Sequence, residues 1–494
     1  MRTGDQYRKG LADGRLVYVD GVPVTDVPEH PAFAGVVSTV AGLYDFAADP
    51  VNGMTYLAPE TGRPALKSFM IPRSVDDLEQ RRHAVVKWAE LSKGFLGRSP
   101  DHVASFFAGF ASNSAVFDRD GHSLGANVRR WYTRILDESA YLSYAIIPPQ
   151  TSRWKDPHGL DGDFIQVGVV AERPDGIVVR GSQMLGTATA ISDYVFVTCL
   201  KPLQRDDEEH AVSFVVPIAA PGLKVYCRRP YALGQPSRYD YPLSTQFDET
   251  DALVVFDDVF IPWSDVFVCR DVDALQDQFF RTPAHILGNS QATARLSVKL
   301  KFLLGIAYKV CLLNRTAAYP SVVEKLAELA SLASVVEGMS LAADSAPETD
   351  ERGVVHPNRR FLYGLMGLQA ELYPRVVNVL RDLVGGGVMM VPSSYRDLVN
   401  DETKADMRRY MQISEGPEDR VQLLKLAWDA IGSEFAGRHH QYELFYAGAP
   451  VVTKAWTYRN YGIEECEAFV DDFLTGYSVQ DPGLAAPADD RSGS

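Results

Sequence analysis

Apolar positions along the first third of the chain follow helical spacing. Ser74-Val-Asp-Asp77 has the hydroxyl and early acids of a helix start. Leu78, Val85, Trp88 and Leu91 then line one face. Gly97-Arg98-Ser99-Pro100-Asp101-His102 breaks this pattern and restarts it. Ser99 reads as the cap, Pro100 as the first helical residue, and Asp101 as the acid facing the positive end of the dipole. Val103, Phe106, Phe107 and Phe110 follow, and a further helix is expected through Trp131 to Ile147, ended by Pro148-Pro149.

The middle of the chain changes period. Asp163 to Val170 and Ile177 to Arg180 are β-rich runs around the turn Arg173-Pro-Asp-Gly176. Tyr194–Thr198, Val212–Val216, Leu223–Tyr226 and Leu253–Ile261 continue it, predicting a compact β-barrel or sandwich. Long helices return from about residue 275, over Ala292–Leu313, Val322–Leu341, Phe361–Leu383 and Val421–Phe435. The first is apolar on most faces apart from Lys299, Lys301 and Lys309, so it is expected to be buried on most faces, in a bundle shared between subunits. The expected division is residues 1–147 helical, 148–274 β, 275–475 a helical bundle, and 476–494 a disordered Ala/Pro/Asp/Ser-rich tail.

Composition narrows the function classes. At 494 residues the chain exceeds what one core usually serves. Lys+Arg 49 against Asp+Glu 64 leaves a formal charge of −15, which disfavours nucleic acid and anionic membranes as partners. The polar start, the scattered apolar runs and five dispersed cysteines fit a cytoplasmic protein with neither a disulfide framework nor a zinc site.

Four segments carry candidate chemistry. Arg98-Ser-Pro-Asp-His102 brings a cation and an imidazole to a helix start, where they can meet one anionic or phenolic oxygen. Tyr144-Ala-Ile-Ile-Pro-Pro-Gln150-Thr-Ser152-Arg153 lies at the α/β seam, a favoured place for ligands. Gly181-Ser-Gln-Met-Leu-Gly186-Thr187 offers small residues and a hydroxyl to a planar cofactor. Leu426-Ala-Trp-Asp429 through Tyr446-Ala-Gly448 includes His439-His440, which as helix neighbours point about 100° apart and make a poor metal pair. Each also has an ordinary reading: a capped helix, a Pro-rich linker, a barrel corner, a close helix crossing. No dinucleotide fingerprint, Walker loop or nucleophile elbow is present.

Together these segments resemble the 4-hydroxyphenylacetate 3-hydroxylase family, over roughly residues 3–475. Gly97-Arg98-Ser-Pro-Asp101, Val298-Lys299-Leu-Lys-Phe302, and Gly432-Ser-Glu-Phe-Ala-Gly-Arg438 with Tyr446-Ala-Gly448 carry the resemblance most specifically. It implies an α+β, acyl-CoA dehydrogenase-like fold: an N-terminal helical domain, a central β-barrel and a C-terminal four-helix bundle that assembles a homotetramer. It also implies a two-component monooxygenase. Reduced FAD from a separate NAD(P)H flavin reductase and O2 would give a flavin hydroperoxide that hydroxylates a phenol ortho to its hydroxyl. The phenol-contacting positions fall on Arg98, His102 and Tyr144, and the flavin-contacting ones on Gln150, Ser152, Arg153, Thr187 and Gly448.

This chain departs from the family pattern at several of these positions. The family's Tyr and His stand exchanged as His102 and Tyr144, Ser152 replaces an Asp, and Pro148 an Asn. The exchange points away from plain 4-hydroxyphenylacetate, towards a tyrosine-derived or related phenol, free or tethered to a carrier protein. His102 is expected to titrate near neutral pH. Alternatives within the fold are oxidation of an indole, pyrrole, amine nitrogen or halophenol, and an acyl-CoA dehydrogenase-type flavoenzyme. The branch that dehydrates hydroxyacyl-CoA with an iron–sulfur cluster needs cysteines and a histidine where Arg98, His102 and Ser290 stand, and no metal site is expected.

Overall fold

The computed structural model describes residues 1–119, 122–150, 164–235, 237–411, 420–446 and 448–478, together with Pro157. Helix α1 (Val75–Leu91) starts where Ser74 Oγ accepts from the Asp77 amide, as its sequence predicts. Helix α2 (Asp101–Ser112) starts without a side-chain cap, because the Ser99 hydroxyl donates to Asp101 Oδ1 at 2.6 Å instead.

Helix α3 (Gly125–Glu138) is shorter than expected: Ser139 takes a left-handed conformation at φ 49°, and the chain continues as a strand. Leu142 to Ala145 therefore do not belong to a helix ended by Pro148-Pro149.

Where a compact β-barrel or sandwich is expected, ten central strands form two sheets, with no closed barrel among the described residues. In chain order they are β1 (Leu16–Val19), β2 (Val22–Val24), β3 (Leu142–Ala145), β4 (Gly168–Arg173), β5 (Gly176–Gln183), β6 (Tyr194–Val197), β7 (Val212–Pro217), β8 (Leu223–Cys227), β9 (Ala252–Pro262) and β10 (Val266–Cys269). The six-stranded sheet runs β2-β1-β8-β9-β5-β4, with β1 parallel to β8. The four-stranded sheet runs β10-β7-β6-β3, with β3 parallel to β6 so that Tyr144 pairs with Phe196. Alternation sets the two faces: Val254, Phe256, Val259 and Ile261 of β9 are buried, while Leu253 and Phe260 are exposed.

The C-terminal region is built on α4 (Ala284–Leu313), α5 (Pro320–Ser345), α6 (Arg359–Val384), α7 (Arg420–Ile431) and α8 (Glu434–Phe445). A break at Gly432-Ser433 separates α7 from α8, and Ser433 caps the second by accepting from the Ala436 amide. Helix α5 is long and apolar enough to cross a membrane by length and composition, but here it packs against α4 and α6. Two short helices, α9 (Pro450–Arg459) and α10 (Ile463–Thr475), end the described chain.

Candidate active site

Helix α4 is apolar along most of its length, yet Gln291, Arg295 and Lys299 are buried on it. Burying such groups is costly unless they are paired. Their partners come from α8. Arg295 makes a bidentate pair with Glu443 at 2.8 and 2.9 Å, and Lys299 Nζ reaches Glu443 Oε1 at 2.9 Å and His439 Nδ1 at 3.1 Å. Burial pushes the Lys299 ammonium down to about 8, against the pull of Glu443. His440 meets the Tyr373 ring instead, with centroids 6.0 Å apart, so the adjacent histidines contact different groups. Among the described residues no cluster of His, Cys, Asp or Glu is arranged to hold a metal ion.

This network fixes the helix that presents Tyr442 and, just beyond its end, Tyr446. Both rings lie between two guanidinium groups. Arg98 sits 5.3 Å from the Tyr442 centroid and 4.3 Å from that of Tyr446, with Arg295 at 5.6 and 5.7 Å. Tyr144, from β3, adds a third ring at 4.8 Å from Arg98. The approach is close: a Cβ on Gly97 would stand 2.0 Å from the Tyr442 oxygen, so only glycine fits there.

Arg98 is thus a buried cation in a cage of phenols. No carboxylate lies within ion-pair distance of its guanidinium among the described residues, although Glu249 accepts from the Gly97 and Arg98 amides at 2.8 and 2.5 Å. Tyr141 Oη donates to the Arg98 carbonyl at 2.7 Å. Burial opposes the charge, but the three phenols and Glu249 outweigh it, and the guanidinium stays protonated. Its Nη1 is spent on His102; Nε and Nη2 make no hydrogen bond to a described residue.

The tautomer of His102 follows from its neighbours. Gln291 Nε2 donates to Asp101 Oδ1 and Ser99 Oγ, both at 3.1 Å, which turns Gln291 Oε1 towards His102 Nδ1 at 3.3 Å. Nδ1 therefore carries the proton, shared with the Tyr446 oxygen at 3.2 Å, and bare Nε2 accepts from Arg98 at 3.0 Å. Burial and the Arg98 cation push the imidazole well below its ordinary value. His102 stays neutral at physiological pH, which corrects the expectation of a histidine titrating there. The exchanged pair is in contact, with the His102 and Tyr144 ring centroids 5.3 Å apart and the rings tilted by 33°. An imidazole and a phenol thus both remain beside Arg98 after the exchange.

A second cluster joins the cage through Arg438, whose guanidinium lies 4.5 Å from the Tyr442 centroid. Arg438 holds Asp251 at 2.7 and 3.0 Å, and Asp251 accepts from the Thr187 hydroxyl at 2.7 Å. The Thr187 proton is therefore committed, which leaves its oxygen available as an acceptor. Its loop holds Leu185 and Ala188 at positive φ and leaves Leu185 half exposed. Two buried polar atoms in this region, Arg438 Nη1 and Tyr442 Oη, have no hydrogen-bond partner among the described residues. The donors and acceptors present fit a planar ring system with hydrogen-bonding edges.

Of the other flavin positions, Gln150 is exposed after β3, and Gly448 is an exposed turn residue at φ 109° two places from Tyr446. Ser152 and Arg153 lie outside the described residues. Ser290 faces Arg81, which donates to it at 3.0 Å, rather than the cage. Sequence reasoning did not single out Tyr442, Tyr446, Gln291 or Glu249 as site residues. The i, i+4 spacing of Tyr442 and Tyr446 was the available signal for the first two.

Comparison with known proteins places this site in a family. A profile described as 4-hydroxyphenylacetate 3-hydroxylase N terminal matches residues 3–268, and its C-terminal counterpart matches 275–475. The 4-hydroxyphenylacetate 3-monooxygenase oxygenase component of Pseudomonas aeruginosa is 34% identical, covering 90% of this chain and 86% of its own. A Streptomyces globisporus monooxygenase of a carrier-protein-bound 3-amino-3-(3-chloro-4-hydroxyphenyl)propanoyl group is 33% identical, covering 90% and 85%. A solved oxygenase component of 4-hydroxyphenylacetate 3-monooxygenase, complexed with FAD and 4-hydroxyphenylacetate, superposes with a TM-score of 0.90 at 31% identity, covering 96% and 99%. An archaeal 4-hydroxybutyryl-CoA dehydratase shares the fold alone, at TM-score 0.87 and 18% identity. The chain is the oxygenase component of a two-component flavin-dependent monooxygenase. It belongs to the 4-hydroxyphenylacetate 3-hydroxylase family.

Proposed function

We propose that this protein hydroxylates a phenol ortho to its hydroxyl group, with Arg98 holding the substrate oxygen in its ionised form. The observation that carries the reading is a buried, charged guanidinium whose Nε and Nη2 make no hydrogen bond to a described residue and which has no carboxylate within ion-pair distance among the described residues. A fixed cation beside a phenol favours the phenolate, and a phenolate ring is the better nucleophile at its ortho carbon.

FAD is the cofactor and O2 the co-substrate. When bound, reduced FAD supplies the two electrons that let one oxygen atom enter the ring while the other leaves as water. Thr187, Gln150, Ser152, Arg153 and Gly448 hold the cofactor in this reading, with the Thr187 oxygen accepting from a ring N–H. His102 accepts from Arg98 and keeps its plane, Tyr144 flanks the substrate, and the surrounding aromatic side chains exclude water.

The substrate is a tyrosine-derived or related phenol, free or carrier-tethered, and a separate reductase supplies reduced FAD. The protein works in the cytoplasm as a homotetramer. Exposed apolar residues on the C-terminal helices, among them Val323, Tyr308 and Leu312, support that assembly.

The test is a coupled assay with a flavin reductase and a panel of free and carrier-bound phenols. A catechol product on a phenol, and none on the matching O-methyl ether, is the expected result. Equal turnover of the ether would overturn the reading.

A further inference from the structure

Helix α10 has no buried residue, and its apolar side chains face solvent: Phe469 is 80% and Phe473 72% exposed. At 100° per residue, Ile463, Cys466, Phe469, Val470, Phe473 and Leu474 fall within an arc of about 140°. Glu464, Glu465, Glu467, Asp471 and Asp472 fill the remaining face, and the helix carries no Lys or Arg. Such a helix is built to lie apolar side down in a groove with basic edges.

The same chain carries that groove. A cavity of about 560 Å³ between α4, α7 and the segment before β9 has Phe302, Ile306, Leu423 and Pro242 among its lining residues. Arg238, Lys301 and Lys309 also line it, and none of the three has a carboxylate partner among the described residues. In its own chain α10 follows α9, which packs on α6, and it does not enter the groove.

We propose that α10 of a second copy of this chain occupies the groove, with its acids against Arg238, Lys301 and Lys309. The inference rests on the assembly proposed above and names the segment that holds it together. Helix α5, which also exposes apolar residues, offers the acids of α10 less, having Lys325 as its single basic residue.

Cys466, the one exposed cysteine among the described residues, lies in the middle of the α10 stripe and provides the test. In the full-length Tyr308→Cys variant, mild oxidation should give a covalent dimer on non-reducing gels. Adding Cys466→Ser should abolish it. Lys301→Glu with Lys309→Glu should raise the concentration at which the assembly dissociates at least tenfold, and Glu464→Lys with Glu465→Lys should restore it.

An assembled protein that forms no cross-link, or whose introduced thiol pairs with Cys466 within one chain, would overturn the proposal and leave the assembly standing. A monomer in the unmodified protein at micromolar concentration would overturn both. An unimpaired assembly in the charge-reversed variant would also contradict it.

Discussion

Arg98 Nη1 donates to His102 Nε2 across 3.0 Å, four residues apart in the chain, and this bond sets which nitrogen of the imidazole carries its proton. The guanidinium cannot give up its proton at any pH of interest, so the imidazole must present a bare nitrogen. Gln291, held by Asp101, fixes the other side of the ring. The result is a neutral histidine that orients a cation.

His102→Ala and Tyr144→Phe should therefore leave reduced-FAD affinity intact while releasing more hydrogen peroxide per NADH in the coupled assay. For His102→Ala the lost bond to the charged Arg98 is worth about 1.5–3 kcal/mol, roughly ten- to more than a hundredfold in rate. Activity of the unmodified enzyme should show no inflection that vanishes with His102→Ala between pH 6 and 8. A peroxide-to-product ratio unchanged in both variants would move the active site elsewhere.

Flavin affinity should respond to the second cluster. Thr187→Val removes the oriented acceptor, and Asp251→Asn releases the proton that Thr187 now donates to it, along with the pairs to Arg438 and Arg228. Both variants are expected to bind reduced FAD about tenfold or more weakly in anaerobic titrations. An unchanged affinity in Thr187→Val would separate this loop from the cofactor.

The order of helical, β and helical regions was legible because each has its own hydrophobic period, and the strands after residue 165 fall close to the apolar runs that predict them. What the pattern does not carry is closure and long-range pairing. The two-sheet arrangement depends on β1 and β3, which come from the N-terminal third and pair across large sequence separations. The end of α3 turned on one left-handed serine, a conformation that propensity does not announce. At the site, Arg98, His102 and Tyr144 do converge, but their partners arrive from α4 and α8, and local patterning is blind to such neighbours.

The buried charges predict a specific stability profile. His285 is held down to about 4 by burial, against an ordinary value near 6.5. The unfolded chain therefore binds more protons than the folded one below about pH 6.5, and stability present above that value is lost as pH falls. The full shift is worth about 3 kcal/mol. His102 and His439 act with the same sign. Buried Asp101 and Asp344, raised to about 6, act with the opposite sign, so the contribution of His285 is read by difference. Between pH 7 and 4 the thermal midpoint of His285→Gln should fall less, or rise more, than that of the unmodified protein.

Glu443 is the single carboxylate shared by Arg295 and Lys299 in a fully buried site. Glu443→Gln leaves two cations with no counter-charge there and should cost about 3–5 kcal/mol in denaturant unfolding. The double variant Glu443→Gln, Lys299→Met should recover part of that loss. A cost under about 1 kcal/mol for the single variant would show that water reaches this network.

The central claim is that Arg98 binds the substrate oxygen as a phenolate. A nitrophenol, whose ionised form absorbs at longer wavelength than the neutral one, reports this directly when titrated anaerobically into the complex with reduced FAD, at a pH below its own pKa. The account predicts the phenolate spectrum on binding to the unmodified protein, and its loss in Arg98→Met with FAD still bound. A probe that binds in its neutral form, or one that stays ionised in Arg98→Met, would contradict it.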